Sequence, residues 1–344
     1  MIKQAIARVV GGHDLSEEEA GQVMELIMDG QASPAQIAAF LTALRLKGET
    51  VEEITGFARI MRRKATPVRS RHSVVVDTCG TGGDGAHTFN ISTTVAFVVA
   101  GAGVPVAKHG NRSVSSRCGS ADLLEALQVH IDLEPAQVEA CLDELGIAFL
   151  FAPVLHGAMK YAAGPRREIG IRTVFNVLGP LTNPAGATAQ VVGVYNAGLT
   201  EKLGKVLARL GTRRSFVVHG NGGLDEISLA GPATVCEVCR GAVREYCVDP
   251  AEYGFPRVPV DALKGGLPKE NAAVTLEILK GAQGPRRNVV LINAAFALVA
   301  AGAAESLAEG VQKAAQSIDE GAALAKLEQL REFTRKVKKQ VAVL

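Results

Sequence analysis

The sequence predicts an α/β fold in two parts: a small N-terminal α-helical domain over residues 1–70, then a larger α/β domain over 71–344 with a mainly parallel central sheet. Three observations lead there. Capped helical segments, with no strand candidate among them, fill the first 65 or so residues. From Ser73 onward, short β-branched runs alternate with helical stretches, as strands joined by crossover helices do. Hydrophobic residues make up 47% of the chain with only 4% aromatics and no Trp, so the core is filled by Ala, Val, Leu and Ile, as in helix-covered parallel sheets.

Each element has its own signal. Ser16 to Glu19 has the capping-box form, and Gly30 ends that helix. Ser33-Pro34-Ala35-Gln36 opens a second helix, which Gly48 closes, and Thr50 to Glu53 opens a third. Ile37, Phe40, Leu41 and Leu44 recur at helical spacing. Val74–Val76 reads as a strand, followed by a Gly-rich turn and a helix over Ser92–Ala102. Val104–Ala107, Ala148–Phe151, Val191–Tyr195 and Phe216–His219 are further strand candidates, separated by helices at Ala121–Gln128, Pro135–Leu145 and Thr200–Leu210. Thr234–Val238 and Val243–Val248 flank Arg240-Gly241 as a hairpin, and the chain returns to helix from Asn288.

Bulk properties exclude several classes. Charged residues are 21% and the net charge is +2, which argues against disorder and against a dedicated nucleic-acid binder. Met1 to Val10 carries Lys3 and Arg8 without a long apolar stretch, so no signal peptide is expected. The apolar run Val289–Ala304 contains Asn293 and is too short for a bilayer, so it reads as a buried helix. The expectation is a cytoplasmic protein without membrane partners. The six cysteines are scattered and do not form a disulfide framework. Cys236-x-x-Cys239 has no second pair and no nearby His, whereas a closed zinc site needs four ligands, so ordinary buried thiols are expected.

The central motif is Asp77-Thr78-Cys79-Gly80-Thr81-Gly82-Gly83-Asp84-Gly85, read as a loop between strand and helix. Ligands of open α/β sheets bind beyond the carboxyl ends of strands, and glycine backbones there approach phosphate closely. Gly80-x-Gly82-x-x-Gly85 matches a dinucleotide fingerprint on paper, but no acid lies between Gly85 and Lys108 to hold a ribose. Asp84 would repel a pyrophosphate unless a cation intervened, so the loop points to a phosphate ligand presented with a metal. The bland alternative is a plain Gly-rich turn. Thr88-Phe89-Asn90-Ile91-Ser92-Thr93 opens the next helix, as caps do, and also makes an anion seat. Lys108 to Ser116, after the second strand, carries two cations and several hydroxyls and leads to Gly119-Ser120, a loop suited to neutralising phosphate. Asp225-Glu226 follows Asn221-Gly222-Gly223; adjacent carboxylates on a turn suit Mg²⁺, although a surface acidic turn has the same pattern.

Gly80-Thr81-Gly82-Gly83-Asp84, Asn90-x-Ser92-Thr93 and Lys108-His109-Gly110-Asn111-Arg112 together resemble the anthranilate phosphoribosyltransferase family, and the resemblance extends over nearly the whole chain. It implies a fold of the nucleoside phosphorylase/phosphoribosyltransferase class, with the helical domain joined by a returning segment near 165–190, and a homodimer formed through the N-terminal helices. It implies transfer of phosphoribose from phosphoribosyl pyrophosphate to the amine of anthranilate, in tryptophan biosynthesis. By motif match, the donor would be bound by Gly80, Gly83, Asp84, Thr88, Asn90, Ser92, Thr93, Lys108, Asn111, Arg112, Ser116 and Ser120. Gly80, His109, Asn111 and Arg166 would bind anthranilate, with Lys108 and His109 as the catalytic pair. Ser92, Asp225 and Glu226 would hold Mg²⁺, two ions per site. Gly164-Pro165 stands where Pro-Val is expected, which leaves Arg167 beside Arg166 as a candidate for the acceptor carboxylate. Three rivals fit less well. A pyrimidine nucleoside phosphorylase is expected to have a Lys-x-Ser-Gly-Arg-Gly loop and a further C-terminal domain. A nucleic-acid-binding relative is expected to be strongly basic, and a nicotinamide-dependent oxidoreductase needs the missing ribose acid.

Overall fold

The computed structural model describes residues 1–113 and 117–341. The chain begins with helices α1 (Ile2–Val10), α2 (Glu17–Met28), α3 (Pro34–Lys47) and α4 (Val51–Lys64). The capping boxes at Ser16, Ser33 and Thr50 are each closed in both directions. Four helices stand where three were expected. α1 has only nine residues and no side-chain cap, so nothing local announces it; it forms by burying Ile2, Ala5 and Val9 and packs on α3.

Then follow β1 (Val76–Gly80), α5 (Ile91–Gly101), β2 (Val106–Gly110), α6 (Ser120–Ala126), α7 (Pro135–Leu145), β3 (Ile147–Phe151), α8 (Ala152–Leu155), α9 (Lys160–Ile169) and α10 (Phe175–Leu181). The chain continues through β4 (Ala189–Gly193), α11 (Thr200–Arg209), β5 (Arg214–His219), β6 (Ala233–Cys239), β7 (Ala242–Val248), α12 (Pro268–Leu279), α13 (Pro285–Ala301), α14 (Leu307–Asp319) and α15 (Ala322–Val341). Two strand boundaries correct the sequence reading. Asp77 to Gly80 belong to β1, and Lys108 and His109 belong to β2, so neither "loop" begins where the motif does. The β-branched run Val74–Val76 marks only the entry to β1; the pairing of Val76–Gly80 with Ala189–Gly193 sets its extent. Helices α9 and α10 carry no sequence signal because Pro165 and Pro180 sit inside them and read as breakers, and α8, only four residues long, is too short to show a period.

The sheet among the described residues has seven strands in the order β3-β2-β1-β4-β5-β6-β7. β1 to β5 pair in parallel, and β6 and β7 add an antiparallel hairpin at one edge. Alternate residues face opposite layers. Val191, Phe216 and Val218 join α5 and α13 in one core, while Val192, Val217 and Cys236 join α11, α10 and the N-terminal helices in the other. Both faces are covered, so the parallel strands are buried nearly throughout, and polar residues they carry, such as Asp77, Thr78, Lys108, His109 and Gln190, are buried with them. α13, the apolar run expected to be a buried helix, is buried from Val289 to Ala300. No described helix is long and apolar enough to cross a membrane.

Candidate active site

The strand order reverses between β1 and β4, which run in parallel, and their carboxyl ends open a crevice at this switch point. β1 ends at Gly80, opposite Gly193 at the end of β4. Both positions are occupied from above by the Asp225-Glu226 turn. A Cβ on Gly80 would overlap the Asp225 carboxylate, and one on Gly193 would overlap the Asp225 carbonyl oxygen. The turn is fastened at each acid. Asp225 Oδ2 accepts from the Gly82 N–H at 2.7 Å, and Glu226 Oε1 accepts from the Ser92 N–H, in the first turn of α5, at 3.1 Å. An acid there meets the positive end of the helix dipole. Ser92, Asp225 and Glu226, which lie 133 residues apart at their nearest in sequence (225 − 92), are thereby brought together.

The charge at this junction is out of balance. Burial raises the Asp225 carboxyl above the ordinary carboxylate range, and the Asp84 charge raises it further. Glu226 is raised by burial and then by Asp225, with the Lys108 ammonium opposing. Lys108 is a buried cation whose Nζ donates to the Thr78 carbonyl and stands 3.4 Å from Ser92 Oγ. The described residues contain no group of three or more His, Cys, Asp or Glu side chains able to cage a metal by themselves. The oxygen donors fit a hard cation that takes its remaining ligands from phosphate and water.

His109, also on β2, is fixed at three points. Its N–H donates to Asp77 Oδ1 at 3.1 Å, its Nδ1–H donates to the Gly179 carbonyl at 3.2 Å, and its ring centroid lies 5.0 Å from that of His156. His156, which the motifs did not indicate, is as buried as His109, and the Nε2 of each has no hydrogen-bond partner among the described residues. Burial lowers His109 to about 3 and His156 to about 4. Both are neutral in the fold, so their contribution to stability is intact above pH 6.5 and is lost as the pH falls through these values. We expect ¹⁵N NMR to find both rings unprotonated at pH 5, where an exposed histidine is mostly charged; two imidazolium spectra at that pH would contradict this packing.

The remaining predicted residues divide. Asn90 Nδ2 donates to the Cys118 carbonyl at 3.0 Å, and its Oδ1 accepts from Asn271 at 2.9 Å, which ties the start of α5 to the second loop and to α12. Thr88 bridges to Lys264, and Thr93 is buried rather than open to the crevice. Ser120 Oγ donates to the Asn111 carbonyl at 3.2 Å. Gly82 and Gly83 adopt φ of +66° and +72°, which favours glycine. Arg112 is not an open phosphate ligand in this arrangement: it pairs with Glu125 at 2.6 and 2.8 Å and with Asp122 at 3.0 Å, both on the α6 side. These acids could not be assigned to it from sequence, because they are common on any exposed helix face. Ser116 lies outside the described residues. Arg166 is half-buried on α9 over the ring of Phe175, at 5.0 Å, whereas Arg167 is exposed. Burial lowers Arg166 from its ordinary pKa, and it has no ion pair or hydrogen bond among the described residues. Arg172 was also missed; it donates to the Gly83 carbonyl. Cys236 and Cys239 are three apart on β6 and so face opposite sides of the sheet. Cys236 is buried, but Cys239 is half-buried and Cys247 exposed, so the expectation of buried thiols holds for Cys236 alone.

Residues 3–65 match the helical bundle domain of a glycosyl transferase family, and residues 72–324 match its a/b domain. The anthranilate phosphoribosyltransferase of Pelotomaculum thermopropionicum is 69% identical over 97% of each chain, and that of Moorella thermoacetica is 64% identical over 95% of this chain and 97% of its own. This chain belongs to the anthranilate phosphoribosyltransferase family. The crystal structure of the Thermus thermophilus member superposes with a TM-score of 0.92 at 47% identity, covering 96% of this chain and 99% of that one. The Saccharomyces cerevisiae member in complex with PRPP and Mg superposes with a TM-score of 0.89 at 28% identity, covering 97% and 98%.

Proposed function

We infer that the chain transfers the phosphoribosyl group of phosphoribosyl pyrophosphate to the amine of anthranilate, releasing pyrophosphate, as a Mg²⁺-dependent step of tryptophan biosynthesis. The observation that carries this reading is the junction of Asp225, Glu226, Ser92 and Gly82 over the β1/β4 crevice. It puts unneutralised carboxylates beside a glycine loop and a helix N-terminus, as a magnesium pyrophosphate requires. The relatives' names and the yeast complexes with PRPP and Mg, and with 4-fluoroanthranilate, support it.

On this reading the roles divide as follows. Gly80, Gly83, Asp84, Thr88, Asn90, Ser92, Asn111 and Ser120 surround the donor, while Thr93 and Arg112 shape its walls. Ser92, Asp225 and Glu226 would hold two Mg²⁺ ions, and bound Mg²⁺ supplies neutralisation of the charge that grows on the leaving pyrophosphate. Lys108 adds a fixed cation on the same side. The C–N bond to the anomeric carbon forms as the bond to pyrophosphate breaks, and the nitrogen then sheds one proton to water. The attacking amine is already neutral, so positioning matters more than a base. Neutral His109, packed on His156, offers an uncharged wall for the aromatic acceptor, with Gly80 and Asn111 beside it. The fork of Arg166, without an ion-pair or hydrogen-bond partner among the described residues, suits its carboxylate.

The same reading makes residues 1–70, with a returning segment near 165–190, a helical domain on the α/β domain of 71–344. It also proposes a homodimer through α1 and α3. On that face Val10 and Leu46 are 70% and 83% exposed, beside an apolar groove of about 630 Å³. A cytoplasmic location completes the proposal. The test is to mix protein, phosphoribosyl pyrophosphate, Mg²⁺ and anthranilate and follow anthranilate fluorescence. Decay that requires every component and stops with EDTA supports the assignment; absence of decay with all present sinks it. Arg166→Ala is expected to raise the acceptor KM by about 100-fold while the donor KM stays within about twofold, because one charge-assisted fork is lost. Equal losses for both substrates would count against its role.

A further inference from the structure

We propose that Arg172 is a positioning residue that latches the glycine loop into its phosphate-receiving shape and ties it to the segment carrying Arg166. This deepens the donor-site reading above and rests on it. Arg172 lies in the connection between α9 and α10, six positions after Arg166 (172 − 166). Its guanidinium donates to the Gly83 carbonyl and stands 4.1 Å from the centroid of the Tyr195 ring. Tyr195 is itself part of the loop's anchorage: its N–H donates to Thr81 Oγ1 at 3.3 Å, and the Thr81 N–H donates to Gly193 at the end of β4 at 2.9 Å. The loop is therefore held on one flank by β4 and on the other by Arg172, with Tyr195 common to both.

What lies between these anchors is soft. Gly82, Gly83 and Gly85 all have positive φ, and glycine chains leave that region at little cost. In a trans peptide the carbonyl and the following N–H point in opposite directions, so holding the Gly83 carbonyl toward Arg172 turns the Asp84 N–H away from it. Arg172 has no carboxylate partner among the described residues. Its donors and its planar face are spent on a backbone carbonyl and an aromatic ring, the arrangement of a strut. A loop without the strut must be ordered at the moment of donor binding, which weakens that binding.

The test combines amide hydrogen exchange of peptide 80–86 in the ligand-free protein with steady-state kinetics for both substrates. Arg172→Ala is expected to speed exchange in that peptide and to raise the donor KM about tenfold, with the acceptor KM within about twofold and Tm within about 2 °C of the wild type. Tyr195→Phe keeps the ring and should behave as wild type. Tyr195→Ala should shift the donor KM in the same direction as Arg172→Ala, and the double variant should be no worse than Arg172→Ala alone, because both act through one contact. Unchanged exchange at 80–86, additive losses in the double variant, or full recovery of the donor KM by Arg172→Lys in a Tyr195→Ala background would each overturn the latch, the last by showing that charge alone matters. A wild type that fails to bind phosphoribosyl pyrophosphate with Mg²⁺ in calorimetry removes the donor-site reading, whereas exchange in the ligand-free chain still decides the latch.

Discussion

Gly193→Ala is expected to reduce turnover by at least about 1000-fold and to destabilise the fold by about 2–4 kcal/mol. The added methyl would overlap the Asp225 carbonyl oxygen, a backbone atom, so no change of rotamer relieves it. Either β4 or the Asp225-Glu226 turn must move. β4 is held by β1 and β5 on its two sides, so the turn gives way. Displacing it breaks the Asp225–Gly82 and Glu226–Ser92 hydrogen bonds together. Activity and urea unfolding measure the two effects, and a Gly193→Ala protein with near wild-type kcat/KM would show that the turn does not carry the site. Gly80→Ala is the milder counterpart, because there the obstruction is the Asp225 side chain, which can rotate at the expense of its bond to Gly82.

Glu226→Gln is expected to abolish most activity, by at least about 100-fold, yet to stabilise the metal-free protein at pH 8 by about 1–2 kcal/mol. The Glu226 carboxyl is raised above its ordinary value of 4.5, first by burial and then by Asp225. A group raised in the folded state contributes stability that is fully present below its unfolded pKa and is lost as the pH climbs through the folded value. The metal-free wild type should therefore weaken from about pH 4.5 into the neutral range. Glutamine stays neutral throughout, so its advantage should be small at pH 5 and largest at pH 8. Thermal melts in EDTA at both values, paired with activity in Mg²⁺, check this. A variant less stable than wild type at pH 8 would mean that Glu226 is held for its hydrogen bond to Ser92 rather than strained for a cation.

Much of this was legible in the sequence because it is local. Three helix starts are written in Ser16, Ser33 and Thr50, each with its partner three residues on. Gly80 to Gly85 and Lys108 to Arg112 carry their chemistry in adjacent residues, and parallel strands announce themselves by apolar runs. Boundaries were less visible. β1 and β2 extend into the motifs because pairing with neighbouring strands, rather than β-branched side chains, sets their ends. α1, α9 and α10 were hidden because tertiary burial overrides a missing cap in the first and internal prolines in the other two.

The sequence by itself determined the fold class, the alternation of strands and helices through most of the chain, the family and the chemical types gathered at the crevice. These rest on hydrophobic period, capping and contiguous motifs, all of which act within a few residues. Only the tertiary structure decided which of those groups meet. Glu226 reaches Ser92 from 134 residues away, His156 packs at a tilt against His109, Arg172 reaches Gly83 from 89 residues away, and Arg112 turns instead to Glu125. Such pairings depend on how strands order and helices pack around the β1/β4 crossover, and no interaction along the chain specifies them.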